Sequence, residues 1–169
     1  MKLVGTVLVL CGSFAAAFSL IRGMDRRVGT LWALTAALDI LDHELEFSLT
    51  AMPELLESAA GRSPEPAAAF LRACAKQLRR QDGRSMAEIW SAEGERIFPE
   101  LKGCDRRPLQ SVGQVLGRYD AENQRVTIAA AREQLAGLWQ EAAGERRRCG
   151  KVYATLCTAA GMIAVILLL

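Results

Sequence analysis

Apolar positions along this chain follow two different rules. At the ends they are unbroken: Leu3 to Ile21 is 19 residues without a charge, and Val152 to Leu169 is 18 more. In between they recur at steps of three and four. Leu31, Leu34, Leu38, Leu41, Leu45 and Leu49 fall on one face of a long helix, and that period is the mark of an amphipathic α-helix. Asp39, Asp42, Glu44 and Glu46 fall on its other faces. Gly23 and Gly29 are positions where this helix could bend away from the first apolar segment.

The same spacing predicts the rest of the middle. Pro53 suits the first turn of a short helix, "PELLESAA", closed by Gly61. "SPEPAAAFLRACAKQLRR" is a further helix, with Ser63 as its cap, Pro64 in its first turn and a stripe of Ala67, Phe70, Leu71, Cys74 and Leu78. "SMAE" has the form of a capping box, Ser85 accepting from a free backbone N–H while Glu88 reaches back. Ile89, Trp90 and Ile97 follow on one side of that helix, and Pro99 stops it. Another helix runs from about Pro108 to Leu116, and Gly117 ends it. Asp120 then caps a last helix carrying Ile128, Ala131, Leu135, Leu138 and Trp139, with nothing stronger than Gly137, Gly144 or Gly150 to interrupt it. No alternating pattern and no internal repeat appears; the loops expected are 61–64, 81–85 and 98–107. The expected core contains Leu34, Leu38, Leu41, Phe70, Leu71, Trp90, Val112, Leu116, Leu135 and Leu138.

The terminal segments just reach the length needed to cross a hydrocarbon core, about 17–25 residues. Met1-Lys2 before an apolar run, with Ala15-Ala16-Ala17 behind it, also fits a cleaved signal peptide. "LVLC" at Leu8 to Cys11 suggests a lipoprotein site, but the bulky Leu10 and the short run ahead of it argue against one. Charge placement decides for two retained spans. Arg22, Arg26 and Arg27 follow the first segment, and Arg146, Arg147, Arg148 and Lys151 precede the second. Basic residues flanking spans stay cytoplasmic, so both clusters put the middle in the cytoplasm and both termini on the far side. The organisation expected is 1–23 as an N-terminal transmembrane helix, 24–151 as a cytoplasmic helical domain and 152–169 as a C-terminal transmembrane helix.

Composition narrows the function classes. The 169 residues suit one domain, and 51% are apolar. All 19 Asp and Glu lie between Asp25 and Glu145. Leaving out Lys2, 20 basic groups face them, so no concentrated basic face points to nucleic acid. The two arginine clusters are better explained by anionic lipid headgroups. Five cysteines at irregular spacing, without CxxC, support neither a disulfide framework nor a zinc site. No Ser-His-Asp or Cys-His arrangement can be argued from the one histidine, His43, which has no metal-ligand pattern around it. Glu44 and Glu46, two apart on a helix, point to different sides and read as solvated rather than as an acid–base pair. "KGCDRR" at 102–107 lacks the spacing of a phosphate loop. No catalytic set, cofactor or metal is expected, and Trp90 and Trp139 read as core. The segment most like a site is "LGRYDAENQ", residues 116–124. Its plain role is to join two antiparallel helices, Gly117 ending one and Asp120 capping the next. Its second role is a partner-binding corner, because such turns are exposed and firmly oriented.

Taken in order, "MKLVG", "LEFSLTAMPELLE", "SMAEIWSAE", "LGRYDAENQ" and the "ILLL" terminus resemble the stage III sporulation protein AB family over essentially the full chain. The most specific pieces are the turn residues Leu116, Gly117, Asp120 and Gln124, the Pro53–Leu56 segment, the Trp90 segment and the two terminal spans. One departure is "MPELLE", where the family pattern has Pro followed directly by Leu. The resemblance implies an all-α cytoplasmic bundle of about six helices, similar to the F-type platform domain of type II secretion and type IV pilus machines, between N- and C-terminal transmembrane helices. It implies a non-catalytic component of the channel complex between mother cell and forespore, in the mother-cell membrane facing the forespore. The partners implied are a secretion-type ATPase (stage III sporulation protein AA-like) and other membrane subunits of the channel. Leu116, Gly117, Arg118, Asp120 and Gln124 would then form the docking corner. Two readings compete with it: a membrane-tethered scaffold or regulator without an ATPase partner, and a holin-type pore former. The second is disfavoured by a long charged middle with a patterned core.

Overall fold

The computed structural model describes the backbone at residues 2–47, 50–118 and 121–168, and side chains at 19, 21–46, 50–118, 122–150 and 152. Among these residues there are six helices and no strand: α1 (Lys2–Phe47), α2 (Met52–Arg62), α3 (Ala67–Arg79), α4 (Met86–Ile97), α5 (Gly103–Val115) and α6 (Ala121–Leu168). The protein is all-α. Each helix packs on the next in sequence, and α6 returns to pack along α1, so the six close into a ring. The α1–α6 contact is the most extensive.

The leucine stripe accounts for α1. Leu31, Leu34, Leu38 and Leu41 are buried, joined across the centre by Leu55, Leu56, Ile89, Val112, Leu116, Ile128 and Leu135. Phe70 packs edge-on to Trp90, with ring centroids 4.5 Å apart, and lies 5.2 Å from Phe98. Of the expected core only Leu138 differs, being half-buried against the cluster together with Trp139. Trp32, by contrast, is 53% exposed. Trp90 Nε1 donates to the Leu109 carbonyl at 2.8 Å. Gly113 lets this happen: a Cβ there would meet Trp90 Cδ1 at 2.6 Å, so a side chain would force α4 and α5 apart.

Neither Gly23 nor Gly29 breaks α1, and Gly137, Gly144 and Gly150 do not break α6. The capping box at α4 is present in both halves: Glu88 N–H donates to Ser85 Oγ at 3.3 Å and Ser85 N–H to Glu88 Oε2 at 2.8 Å. Three boundaries depart from expectation. The second helix runs past Gly61 to Arg62, and Ser63 belongs to that end, its hydroxyl donating to the Ala59 carbonyl at 2.7 Å. Accordingly α3 begins at Ala67, after Pro66 and a cis Glu65–Pro66 bond, rather than at Pro64. The fifth helix starts at Gly103 rather than Pro108, so the loop expected at 98–107 shrinks to 98–102. Asp105 explains this, because its carboxylate takes the free Lys102 N–H at 3.0 Å and supports a helix start upstream of the proline.

Among the described residues five ion pairs stitch α1 to α6. Asp25 pairs with Arg146 (2.6 Å), Arg27 with Glu145 (3.3 Å), Asp42 with Arg125 (3.2 Å), Glu46 with Arg125 (3.3 Å), and Asp39 with Arg132. Residues 25–27 thus lie level with 145–146, and residues 39–46 with 125–132. Both long helices run on beyond the bundle at the same end. Among the described residues no helix is long and apolar enough to cross a membrane; apart from those at 19, 21–23 and 152, the side chains of the two segments expected to span lie outside the described residues.

Candidate functional site

The expected corner sits at the end of the bundle away from residues 23 and 150. Leu116 is fully buried and anchors the turn in the core. Gly117 has φ +73°, the left-handed conformation in which glycine carries no Cβ penalty. Arg118 is exposed. Tyr119 and Asp120 lie outside the described residues, and with them the expected cap of α6. Gln124 is 7% exposed, not displayed to solvent, and its Oε1 accepts the Gly117 N–H at 3.5 Å. The structure thus divides the predicted residues. Leu116, Gly117 and Gln124 build the turn, and Arg118 is the one of the described set that it offers outward.

A second polar cluster, absent from the sequence reading, closes the other end. Arg27 is 8% exposed and Asp105 is fully buried. Two bonds join them, Nε to Oδ2 at 2.7 Å and Nη2 to Oδ1 at 2.8 Å, the bidentate geometry that guanidinium and carboxylate favour. Arg27 Nη1 reaches Glu145 at 3.3 Å, and Lys102 Nζ lies 3.6 Å from the same carboxylate. Burial opposes ionisation of Asp105, yet the Arg27 guanidinium and the Lys102 N–H outweigh it and hold the carboxyl below its ordinary range. The bond to Asp105 in turn raises Arg27 against the opposing effect of burial. Gly23, Met24, Arg27, Glu100, Lys102, Ala142 and Glu145 line a cleft of about 280 Å³ here. Arg27 and Lys102 pair with Glu145, and Glu100 accepts from the Thr30 hydroxyl; this corrects one assignment: Arg27 is an internal ion-pair partner, not a surface group for lipid headgroups. Arg146 is likewise paired, whereas Arg26, Arg147 and Arg148 are exposed. The signal for Arg27 was in the sequence, since stepping back four residues from Leu31 lands on it.

Other polar groups are also structural. Glu93 is buried and accepts from Gln77 at 3.1 Å and from Arg96 at 2.8 and 2.6 Å. Burial raises its carboxyl, and these bonds bring it below the ordinary value. Glu44 is not merely solvated: it pairs with Arg62 at 2.8 Å. Cys74, Cys104 and Cys149 are free thiols, and burial pushes the Cys74 thiol far up. Among the described residues no group of His, Cys, Asp and Glu could hold a metal ion.

A closed ring of six helices, carried on two long helices that leave it together, defines an all-α bundle domain with helical extensions. The family model for stage III sporulation protein AB matches the chain over residues 2–169, and the chain belongs to that family. A solved structure titled stage III sporulation protein AB (SpoIIIAB) superposes with a TM-score of 0.64 at 22% identity, covering 73% of this chain and 98% of that one. At that identity the likeness establishes the fold. Comparison with curated proteins gives no match. The protein is thus a sporulation component with a six-helix bundle.

Proposed function

We propose that this protein is a non-catalytic membrane platform of a sporulation channel complex, and that its bundle docks a cytoplasmic secretion-type ATPase similar to stage III sporulation protein AA. Family membership carries the reading. The form of the long helices supports it. Residues 2–23 of α1 continue the helix beyond the bundle for about 33 Å at 1.5 Å per residue, against a hydrocarbon core of about 30 Å. Residues 147–168 of α6 leave at the same end. Two such helices hold the bundle close to the cytoplasmic surface of the mother-cell membrane, where exposed Arg26, Arg147 and Arg148 meet anionic headgroups and further channel subunits pack beside the spans. The opposite end then faces the cytoplasm and receives the ATPase. Coupling of this kind needs rigidity and shape, not a reactive group.

Copurification tests it. The full chain in detergent is expected to retain the stage III sporulation protein AA-like ATPase; failure to do so returns the protein to a tethered scaffold without that partner. Topology is checked separately with Cys104, which is exposed, as the single cysteine in an otherwise cysteine-free chain. A membrane-impermeant thiol reagent should leave it unlabelled in intact cells, and labelling there would overturn the orientation.

A further inference from the structure

The end of the bundle opposite the long extensions gathers arginines from two connections. Arg80 and Arg84 lie in the segment between α3 and α4, and Arg118 lies in the turn after α5. Arg80 Nη1 and Arg84 Nη2 both donate to one oxygen, Gln77 Oε1, at 3.4 and 3.0 Å. Two like-charged guanidiniums are therefore held side by side on a neutral amide. Gln77 is itself fixed, its Nε2 donating to buried Glu93 at 3.1 Å. Arg118 stands in the same field, since Arg84 and Arg118 both depress Glu88 behind its bonds to Ser85. Lys76 and Arg79 extend the cluster along the exposed face of α3.

Neutralisation here is incomplete. Arg84 pairs with Asp82 at 2.8 Å and Arg79 with Glu57 at 3.1 Å. Among the described residues Arg80, Arg118 and Lys76 form no ion pair. The dipole of α3 explains basic residues in its last turn, but not Arg84, four residues further along the loop, or Arg118 in the turn after α5. Fixed guanidinium forks favour carboxylates.

We propose that Arg80, Arg84 and Arg118 form a basic docking site for an acidic surface of the ATPase, a proposal that rests on the platform reading above and gives it a contact face. A protein is favoured over a polyanion because Glu57, Asp82 and Glu88 are interspersed with the arginines and would repel a continuous phosphate backbone. A lipid surface is disfavoured by position, at the far end from the two extensions.

The test uses the full chain in detergent, the stage III sporulation protein AA-like ATPase as probe, and an Arg80→Glu/Arg118→Glu variant. Wild type should bind, and binding should weaken as salt rises from about 0.1 M to about 1 M, where the Debye length falls from about 10 Å to about 3 Å. The variant should bind about tenfold more weakly or worse, at unchanged melting temperature. An Arg147→Glu/Arg148→Glu control at the other end should bind as wild type does. Undiminished binding by the first variant would place the contact elsewhere and overturn the inference, while the binding itself would uphold the ATPase reading. No binding by wild type would remove both. If the variant keeps the ATPase but loses anionic vesicles or single-stranded nucleic acid, the cluster serves another polyanion and the inference is wrong.

Discussion

The two ends of the bundle use arginine in opposite ways. At the end where α1 and α6 extend, Arg27 is buried, bonded twice to Asp105 and held again by Glu145. At the other end Arg80 and Arg118 stand in water with no carboxylate partner among the described residues, and Arg80 rests on an amide oxygen. A buried guanidinium must find its counter-charge inside the fold, because leaving it unpaired costs more than any surface pair returns. An exposed one is free to find its counter-charge on another molecule. The Arg27 cluster is therefore internal architecture, whereas Arg80 and Arg118 are where recognition can reside.

The largest effect is expected at the closed end. Arg27→Met leaves the Asp105 carboxylate buried and unpaired, and should cost about 3–5 kcal/mol in chemical denaturation. Adding Asp105→Leu should recover most of this, short of the about 1 kcal/mol tied to the lost contact with the Lys102 N–H. A single variant within about 0.5 kcal/mol of wild type would show that the pair does not hold this end. Acid gives an independent reading of the same pair. The Asp105 carboxyl is lowered in the folded protein, so its contribution is complete above the unfolded value of about 4 and is lost as pH falls through the lower folded value. Stability should thus decline below about pH 4, and less steeply in the double variant. Equal acid slopes in the two proteins would remove Asp105 from the account.

This contrast also shows what the amino-acid pattern discloses. Helices with a strong apolar period were legible, α1 and α6 above all, because leucine at steps of three and four allows few other structures. The capping box at Ser85 was legible because both halves lie within four residues. Boundaries set by a distant or unusual partner were not. Ser63 looked like an N-cap, but serine can equally bond back four residues, and it does so to Ala59. Pro108 looked like a helix start because the upstream support from Asp105 is local yet carries no standard cap residue at Lys102. Of the candidate corner, Leu116 and Gly117 were legible from composition. Gln124 looked like a surface contact, and only the three-dimensional turn folds its amide back to Gly117. The pairing of Arg27 with Asp105 spans 78 positions, and no local rule could join them.

Two smaller effects sharpen the comparison in the part of the bundle that supports the open end. Gly113→Ala would press a Cβ into Trp90; overpacking of this kind should cost about 1–3 kcal/mol and shift the tryptophan emission as the ring is displaced from Leu109. Unchanged stability and emission would mean that α4 and α5 separate freely. Ser85→Ala removes one half of the capping box and should cost about 1 kcal/mol. Because Ser85 follows Arg84 directly, this variant should also loosen the loop that carries one of the three arginines. Faster amide exchange over residues 81–88 would register it, and unaltered exchange would mean that the Arg84–Asp82 pair orders the loop alone.

The smallest stability effect is expected at the most exposed arginines. Arg118→Glu and Arg80→Glu break no ion pair among the described residues, remove no buried area of consequence, and leave Gly117, Leu116 and Gln124 in place. Surface substitutions of this kind stay within about 0.5 kcal/mol of wild type. Their two local terms also run in opposite directions. Arg118→Glu brings a carboxylate toward Glu88, which is mildly unfavourable, whereas Arg80→Glu relieves the crowding of two guanidiniums on Gln77, a gain offset in part by setting a carboxylate at the C-terminus of α3 against its dipole. Thermal melts of each single variant in the full chain are therefore expected to overlay on wild type. A loss of more than about 1 kcal/mol in either would make that arginine part of the architecture, like Arg27, and the contrast between the two ends would collapse. Overlaying melts instead leave these arginines without a role in folding, so any binding lost on their reversal belongs to the surface itself.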